Sequence, residues 1–167
     1  DLVAHGTDIY SRTIHVEKSH DYYALHYIAE FSFDTEAKQI HGTNKIFIRA
    51  LRNDFDRCLL DAGPNITIDA ITDGDGKPLE YSHKQDKVMV LLKDKYEYDD
   101  TINFLIKYSA VDPVNDQKIF YDPSANYPSM IWAPNFPNRV RNWLPCCDFP
   151  NDKVTHEMII HTPKGFK

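Results

Sequence analysis

Between residues 22 and 33 apolar side chains fall on every second position: Tyr23, Leu25, Tyr27, Ala29, Phe31 and Phe33 share one parity, with His26, Glu30 and Ser32 on the other. Successive side chains of a strand point to opposite faces, so a period of two predicts a half-buried β-strand. Polar residues 34–39 lead to a second strand over 40–51, carried by Ile46, Phe47 and Ile48, and the two read as a long antiparallel hairpin. Further strands are predicted over 57–62, stopped by Gly63-Pro64, and over 66–71, rich in β-branched residues. Asp73-Gly74-Asp75-Gly76 supplies turn chemistry, and 79–83 with 87–92 read as a second hairpin. Residues 101–108 alternate again, with Ile102, Phe104, Ile106 and Tyr108 on one face, and 154–162 make a last strand.

No segment keeps a 3.6-residue period. Short strands separated by turns predict an all-β fold, an antiparallel β-sandwich or saddle-shaped sheet. The stretch 109–150 holds seven of the ten prolines. Proline donates nothing to a ladder, so this stretch is predicted to be ordered loop with short strands near Ile119 and Trp132. At 167 residues the chain is expected to form one domain over 1–167.

The net charge of −6 argues against nucleic acid as a partner, because phosphate binding draws on lysine and arginine. No apolar run approaches the roughly 20 residues a bilayer-spanning helix needs. Residue 1 is Asp with no basic-then-apolar leader, which predicts a start trimmed by processing or truncation and leaves the compartment unknown. Cys58, Cys146 and Cys147 cannot all pair, and buried free thiols are the expected state.

Several motifs invite chemistry and fall short of it. His156 and His161 evoke His-Glu-x-x-His, but one residue too many separates them. On the predicted strand their odd spacing puts them on opposite faces, so they cannot share a zinc ion. The Asp73–Gly76 run lacks the glycine spacing of an EF-hand and reads as a turn. Asn65-Ile66-Thr67 is a glycosylation sequon, a triplet that arises often by chance. The acidic, tyrosine-bearing run 96–100 reads as a solvated loop.

The richest stretch is Arg141-Asn142-Trp143-Leu144-Pro145-Cys146-Cys147-Asp148-Phe149-Pro150-Asn151-Asp152-Lys153. It resembles the Arg-x-Trp/Phe-Phe-Pro-Cys-x-Asp-x-Pro-x-x-Lys block of the gluzincin aminopeptidases, the family of aminopeptidase N and leukotriene hydrolase. Upstream, Asp21-Tyr22-Tyr23-Ala24-Leu25 with Gly42, and Leu59-Leu60-Asp61-Ala62, match the family's opening strands. The resemblance implies the amino-terminal β domain of a zinc aminopeptidase. Its partner would be a thermolysin-like catalytic domain of the same polypeptide, and peptide would be the substrate of the whole protein. Zinc is expected only in that other domain, because neither His-Glu-x-x-His nor Gly-x-Met-Glu-Asn occurs in this chain, which alone should be catalytically silent.

In the family a loop just before the block helps close the substrate pocket with polar side chains. An ungapped count puts Pro134 and Phe136 there, and a gap of one or two residues puts Asn135 or Asn138. Within the block, Arg141 and Asp148 are expected to lock the turn as a bidentate ion pair, with Trp143 and Pro145 packed beneath. Docking on a catalytic domain implies an exposed apolar patch around Trp132, Pro134, Phe136 and Pro137. Two further readings stand beside this one: the scaffold domain of a non-catalytic relative, and a free-standing sandwich that binds carbohydrate or protein through its loops.

Overall fold

The computed structural model describes residues 21–113, 118–124, 128–133, 135–136, 138–149 and 153–166. In chain order the strands are β1 (Tyr22–Asp34), β2 (Gln39–Ala50), β3 (Phe55–Asp61), β4 (Ile66–Asp73), β5 (Tyr81–Lys84), β6 (Lys87–Tyr96), β7 (Thr101–Val111), β8 (Phe120–Tyr121), β9 (Met130–Ile131) and β10 (Thr155–His161). A five-stranded sheet runs β10-β1-β2-β7-β4, a three-stranded sheet β3-β6-β5, and β8 pairs with β9. The fold is all-β. Every pairing is antiparallel except that of β10 with β1, which a last strand returning from a long connection can make without a hairpin.

The two predicted hairpins form as β1–β2 and β5–β6. One detail of the first differs from the alternation in sequence. The β1–β2 register shifts between Ala24 and His26, so the strand changes phase there. Tyr22 and Ala24 are buried before the shift and Tyr27, Ala29 and Phe31 after it, while Tyr23 lies exposed. A bulge adds one residue to one strand and flips every side chain beyond it, which a single unbroken parity cannot register.

The core lies between the two larger sheets. Phe104, Ile106 and Tyr108 of β7 and Ile46 and Ile48 of β2 pack in one buried cluster with Phe55 and Leu60 of β3 and Val88 and Val90 of β6. Gly42 leaves room for Tyr108: a Cβ there would lie 2.6 Å from the phenol's Cζ and Oη. The phenol in turn donates to the Trp143 carbonyl at 2.9 Å. Thus a glycine of β2 is what lets β7 reach the proline-rich connection.

That connection carries β8 and β9 close to where short strands are predicted, and a 3-10 turn over Val140–Asn142. It closes on the three-stranded sheet through reciprocal bonds between Asp61 and Cys146, N–H to O at 2.7 and 3.0 Å.

Candidate functional site

The loop that joins β9 to β10 crosses the core side of β1, and its stretch 141–148 is tied to other strands by hydrogen bonds and ion pairs. Arg141 is the hub. Its Nε donates to Asp148 Oδ2 at 2.9 Å, and its Nη1 to Asp86 Oδ2 at 2.7 Å and Asp61 Oδ1 at 3.1 Å. The expected bidentate pair with Asp148 is thus replaced by a guanidinium spread over three carboxylates. The reason lies in Asp61, a buried carboxylate on β3 that also meets Lys87 and accepts the Asp148 N–H at 3.1 Å. Burial opposes the charge on Arg141, but the bonds and charges of Asp148, Asp61 and Asp86 outweigh it and hold its pKa above the usual range.

Around this hub the backbone of the block is tied down by side chains from other strands. Asn44, fully buried on β2, donates to the Pro145 carbonyl at 2.9 Å, and Tyr27 accepts the Cys147 N–H at 3.0 Å. Trp143 packs edge-on against Phe31 with ring centroids 5.5 Å apart. Its indole N–H donates to Asn135 Oδ1 at 3.2 Å. Asn65 donates to the Val111 and Asn142 carbonyls at 2.8 and 2.7 Å, so both amide hydrogens of the sequon asparagine are already engaged. A glycan at Asn65 would break that tie.

Of the residues proposed for a pocket loop, Asn135 is held by Trp143, Phe136 is 85 % exposed and Asn138 is exposed. Pro134 lies outside the described residues, as does Pro137. Trp132 is 58 % exposed. Below this loop a groove of about 860 Å³ runs between β10 and the β8–β9 pair, lined by Phe31, Phe33, Ile119, Met158, Ile160 and Phe166 among others. A second cleft of about 330 Å³ lies on the other side of Met158, with Phe136, Val154 and His156 on its walls. Asn135, Trp143 and Met158 border both.

Metal and nucleophile chemistry find little here. Among the described residues no group of three or more His, Cys, Asp or Glu side chains converges to hold a metal ion. His156 sits opposite Tyr27 on the core side of the sheet, and His161 points to the other face, where Nε2 meets Glu30 Oε1 at 2.7 Å. The Asp73 carboxylate accepts the N–H groups of Asp75 and Lys77, at 3.0 and 2.8 Å, and Gly76 takes a φ of +83°, the geometry of a tight turn. All three cysteines are buried and free. Burial pushes the thiol pKa of Cys58 and of Cys146 up, and the charges of Asp148 and Asp61 add to the effect at Cys146.

No family model matches the chain, and no curated protein matches it in sequence. Solved structures do match in fold. The M1 zinc metallopeptidase from Deinococcus radiodurans superposes with a TM-score of 0.69 at 18 % identity, over 87 % of this chain and 33 % of that one. Yeast LTA4 hydrolase gives 0.71 at 17 %, over 92 % of this chain and 26 % of the other. This chain shares the fold of an M1 metallopeptidase segment. A two-domain M1 zinc metallopeptidase bound to L-tryptophan agrees, with 0.68 at 19 %, over 87 % and 34 %. The chain therefore spans between a quarter and a third of the M1 proteins it resembles. Identities this low speak to the M1 fold alone.

The hub residues missing from the sequence reading are Asp61, Asp86 and Lys87, with Asn44 and Tyr108 behind them. Asp61 did leave a mark, as a carboxylate closing the apolar run Cys58-Leu59-Leu60. Buried acids in apolar strands need partners, and an arginine bracketed by prolines is a natural one.

Proposed function

We propose that this chain is the amino-terminal β domain of a zinc metallo-aminopeptidase. It packs beside a thermolysin-like catalytic domain of the same polypeptide, where zinc-activated water removes amino-terminal residues from peptides. The observation that carries the reading is the M1 fold, matched over about nine tenths of this chain but at most 34 % of those relatives. The exposed apolar strip of Trp132, Phe136, Met158 and Ile160 is the docking face this arrangement calls for. The Arg141 hub then serves the chemistry indirectly, by fixing the loop that carries Asn135 and Phe136 at the edge of the substrate pocket.

The test is made on the full-length polypeptide. Zinc is expected at one ion per chain, with release of amino-terminal residues from peptides that a chelator abolishes, while residues 1–167 alone show neither. Phe136→Ala should change which amino-terminal residue is preferred, through KM more than kcat. A full-length protein with zinc but only endopeptidase or esterase activity would end the aminopeptidase reading.

One observation favours a second reading, the scaffold domain of a non-catalytic relative. Where the family presents polar side chains to substrate, Phe136 offers a bare ring and the Asn135 oxygen is already taken by Trp143. A full-length protein without zinc and without peptidase activity, yet with this domain folded, would decide for it.

A further inference from the structure

One bond fixes the hydrogen-bonding polarity of the loop before the Arg141 block. An indole nitrogen is a donor and never an acceptor, so the Asn135 atom that meets Trp143 Nε1 at 3.2 Å has to be the amide oxygen. The usual ambiguity between the O and N ends of an asparagine amide is thereby resolved, and what Asn135 turns away from Trp143 is its NH2 group. Trp143 is itself firmly seated. It is only 8 % exposed, its ring stands edge-on to Phe31, its carbonyl accepts the Tyr108 phenol, and its N–H donates to the Val140 carbonyl at 3.0 Å.

The next turn of chain adds donors of its own. The Arg139 N–H donates to the Asn135 carbonyl at 3.3 Å, an i to i+4 bond that closes one turn and brings residues 135 and 139 to one side. A guanidinium holds five donors and no acceptor, whatever partner it meets. Asn135 and Phe136 both line the cleft of about 330 Å³, and its one carboxylate among the described residues, Asp148, is buried and held by Arg141. An ammonium group brought to this loop would set donors against donors and cation against cation. A carboxylate would accept from the Asn135 amide and the Arg139 guanidinium alike, in charge-assisted bonds.

We propose that Asn135 and Arg139 bind a carboxylate of the peptide rather than its ammonium group, and that Trp143 is the positioning residue that sets this polarity by fixing the Asn135 amide. The inference rests on the aminopeptidase reading above and narrows its substrate class to peptides that bring an anionic group to the loop. Two groups offer that chemistry: the side chain of an aspartyl or glutamyl first residue, and the carboxyl terminus of a very short peptide. The same bond that withholds the Asn135 oxygen from an amino terminus thus gives the loop a different task.

Fluorogenic arylamides of glutamate, glutamine, leucine and lysine, cleaved by the full-length protein, read the first source, because they carry no terminal carboxylate. A leucyl tripeptide compared as free acid and as carboxamide reads the second. In at least one series the anionic substrate is expected to have the higher kcat/KM, with the difference in KM. Asn135→Asp keeps an acceptor for the Trp143 indole and turns a carboxylate oxygen outward. It should reduce or invert that preference by at least about tenfold, the effect of one hydrogen bond to a charged group. Trp143→Phe keeps a ring against Phe31 but lets the amide turn, so it should bring the ratio of anionic to cationic substrates toward one, again through KM; a purely structural role would lower all substrates together. A preference for lysyl over glutamyl and for amide over acid, or an Asn135→Asp enzyme that moves neither ratio, would overturn this inference while zinc and aminopeptidase activity stay in place. A full-length protein with no peptidase activity at all would end the underlying reading, and this inference with it.

Discussion

The Arg141–Asp148 block and β10 flank the same strand, yet they are held in opposite ways. The block is a loop without a ladder of its own, but its residues are buried and tied by Asp61, Asn44, Tyr27 and Tyr108. Strand β10 has a complete ladder to β1, and a side-chain tie at its start through Thr155 Oγ1 to the Leu25 carbonyl at 3.0 Å. Its faces are covered only in part, with Met158, Ile159 and Ile160 each about half exposed. Regular structure and anchorage are therefore separate matters here: the irregular segment is fixed by a desolvated polar network, while the regular one keeps its apolar side chains in water. Segments of the first kind resist local opening, and segments of the second are free to meet another surface.

The sharpest way to break that contrast is to remove its hub. Arg141→Met takes away the cation that meets Asp61, Asp86 and Asp148 together, and leaves Asp61 with Lys87 as its one cation among the described residues and the Asp148 N–H as a further donor. Removing one partner of a buried charge network costs about 3–5 kcal/mol, because the other charges remain desolvated. Urea unfolding followed by tryptophan fluorescence should show a loss of that size. A loss below about 1 kcal/mol would mean the network is solvated and the block is no better anchored than β10.

How much of this was visible in the sequence differs between the two regions. For β1 and β7 the alternation is visible because each strand has one buried and one more open face, and that asymmetry is written in residue type. The bulge after Ala24 is not visible, because Leu25 and Tyr27 are as apolar as the residues a flat strand would bury. The pairing of Arg141 with Asp148 could be anticipated from seven residues of local chain. Its sharing with Asp61 and Asp86 could not, since those carboxylates come from β3 and the turn before β6, and only the folded topology brings them near. Parallel pairing of β10 is equally long-range: its partner lies some 130 residues earlier.

Raising the pH sharpens the comparison next. Cys58, Cys146, Tyr22 and Tyr108 all have pKa values raised above their ordinary ones, with burial the largest cause in each. A raised folded-state pKa means that the unfolded chain loses its protons first, so stability is fully present below the unfolded value and falls as pH rises beyond it. For the thiols that decline begins near pH 9, at about 1.4 kcal/mol per pH unit for each group, and the phenols join near pH 10. The melting temperature should be level between pH 7 and 8 and drop steeply above 9. Ellman's reagent at pH 8 should leave Cys58 and Cys146 unlabelled until the protein unfolds. Prompt labelling in the native state would show that the block breathes.

The smallest effect is expected where β10 meets water. Ile160 lies opposite Phe31 across the β1–β10 ladder, on the same face, yet 53 % of it is exposed against 4 % of its neighbour. Burying a side chain of this kind stabilises by about 1.5–3 kcal/mol, and Ile160 collects only part of that in the monomer. Ile160→Ser should therefore change monomer stability by less than about 1 kcal/mol, while Ile46→Ser, at a fully buried position of β2, should cost several times more. What Ile160→Ser should alter is whatever covers that face, seen as weaker packing of the full-length protein. If instead it unfolds the monomer as Ile46→Ser does, then β10 is part of the core in solution, and the distinction between an anchored loop and an open strand does not hold.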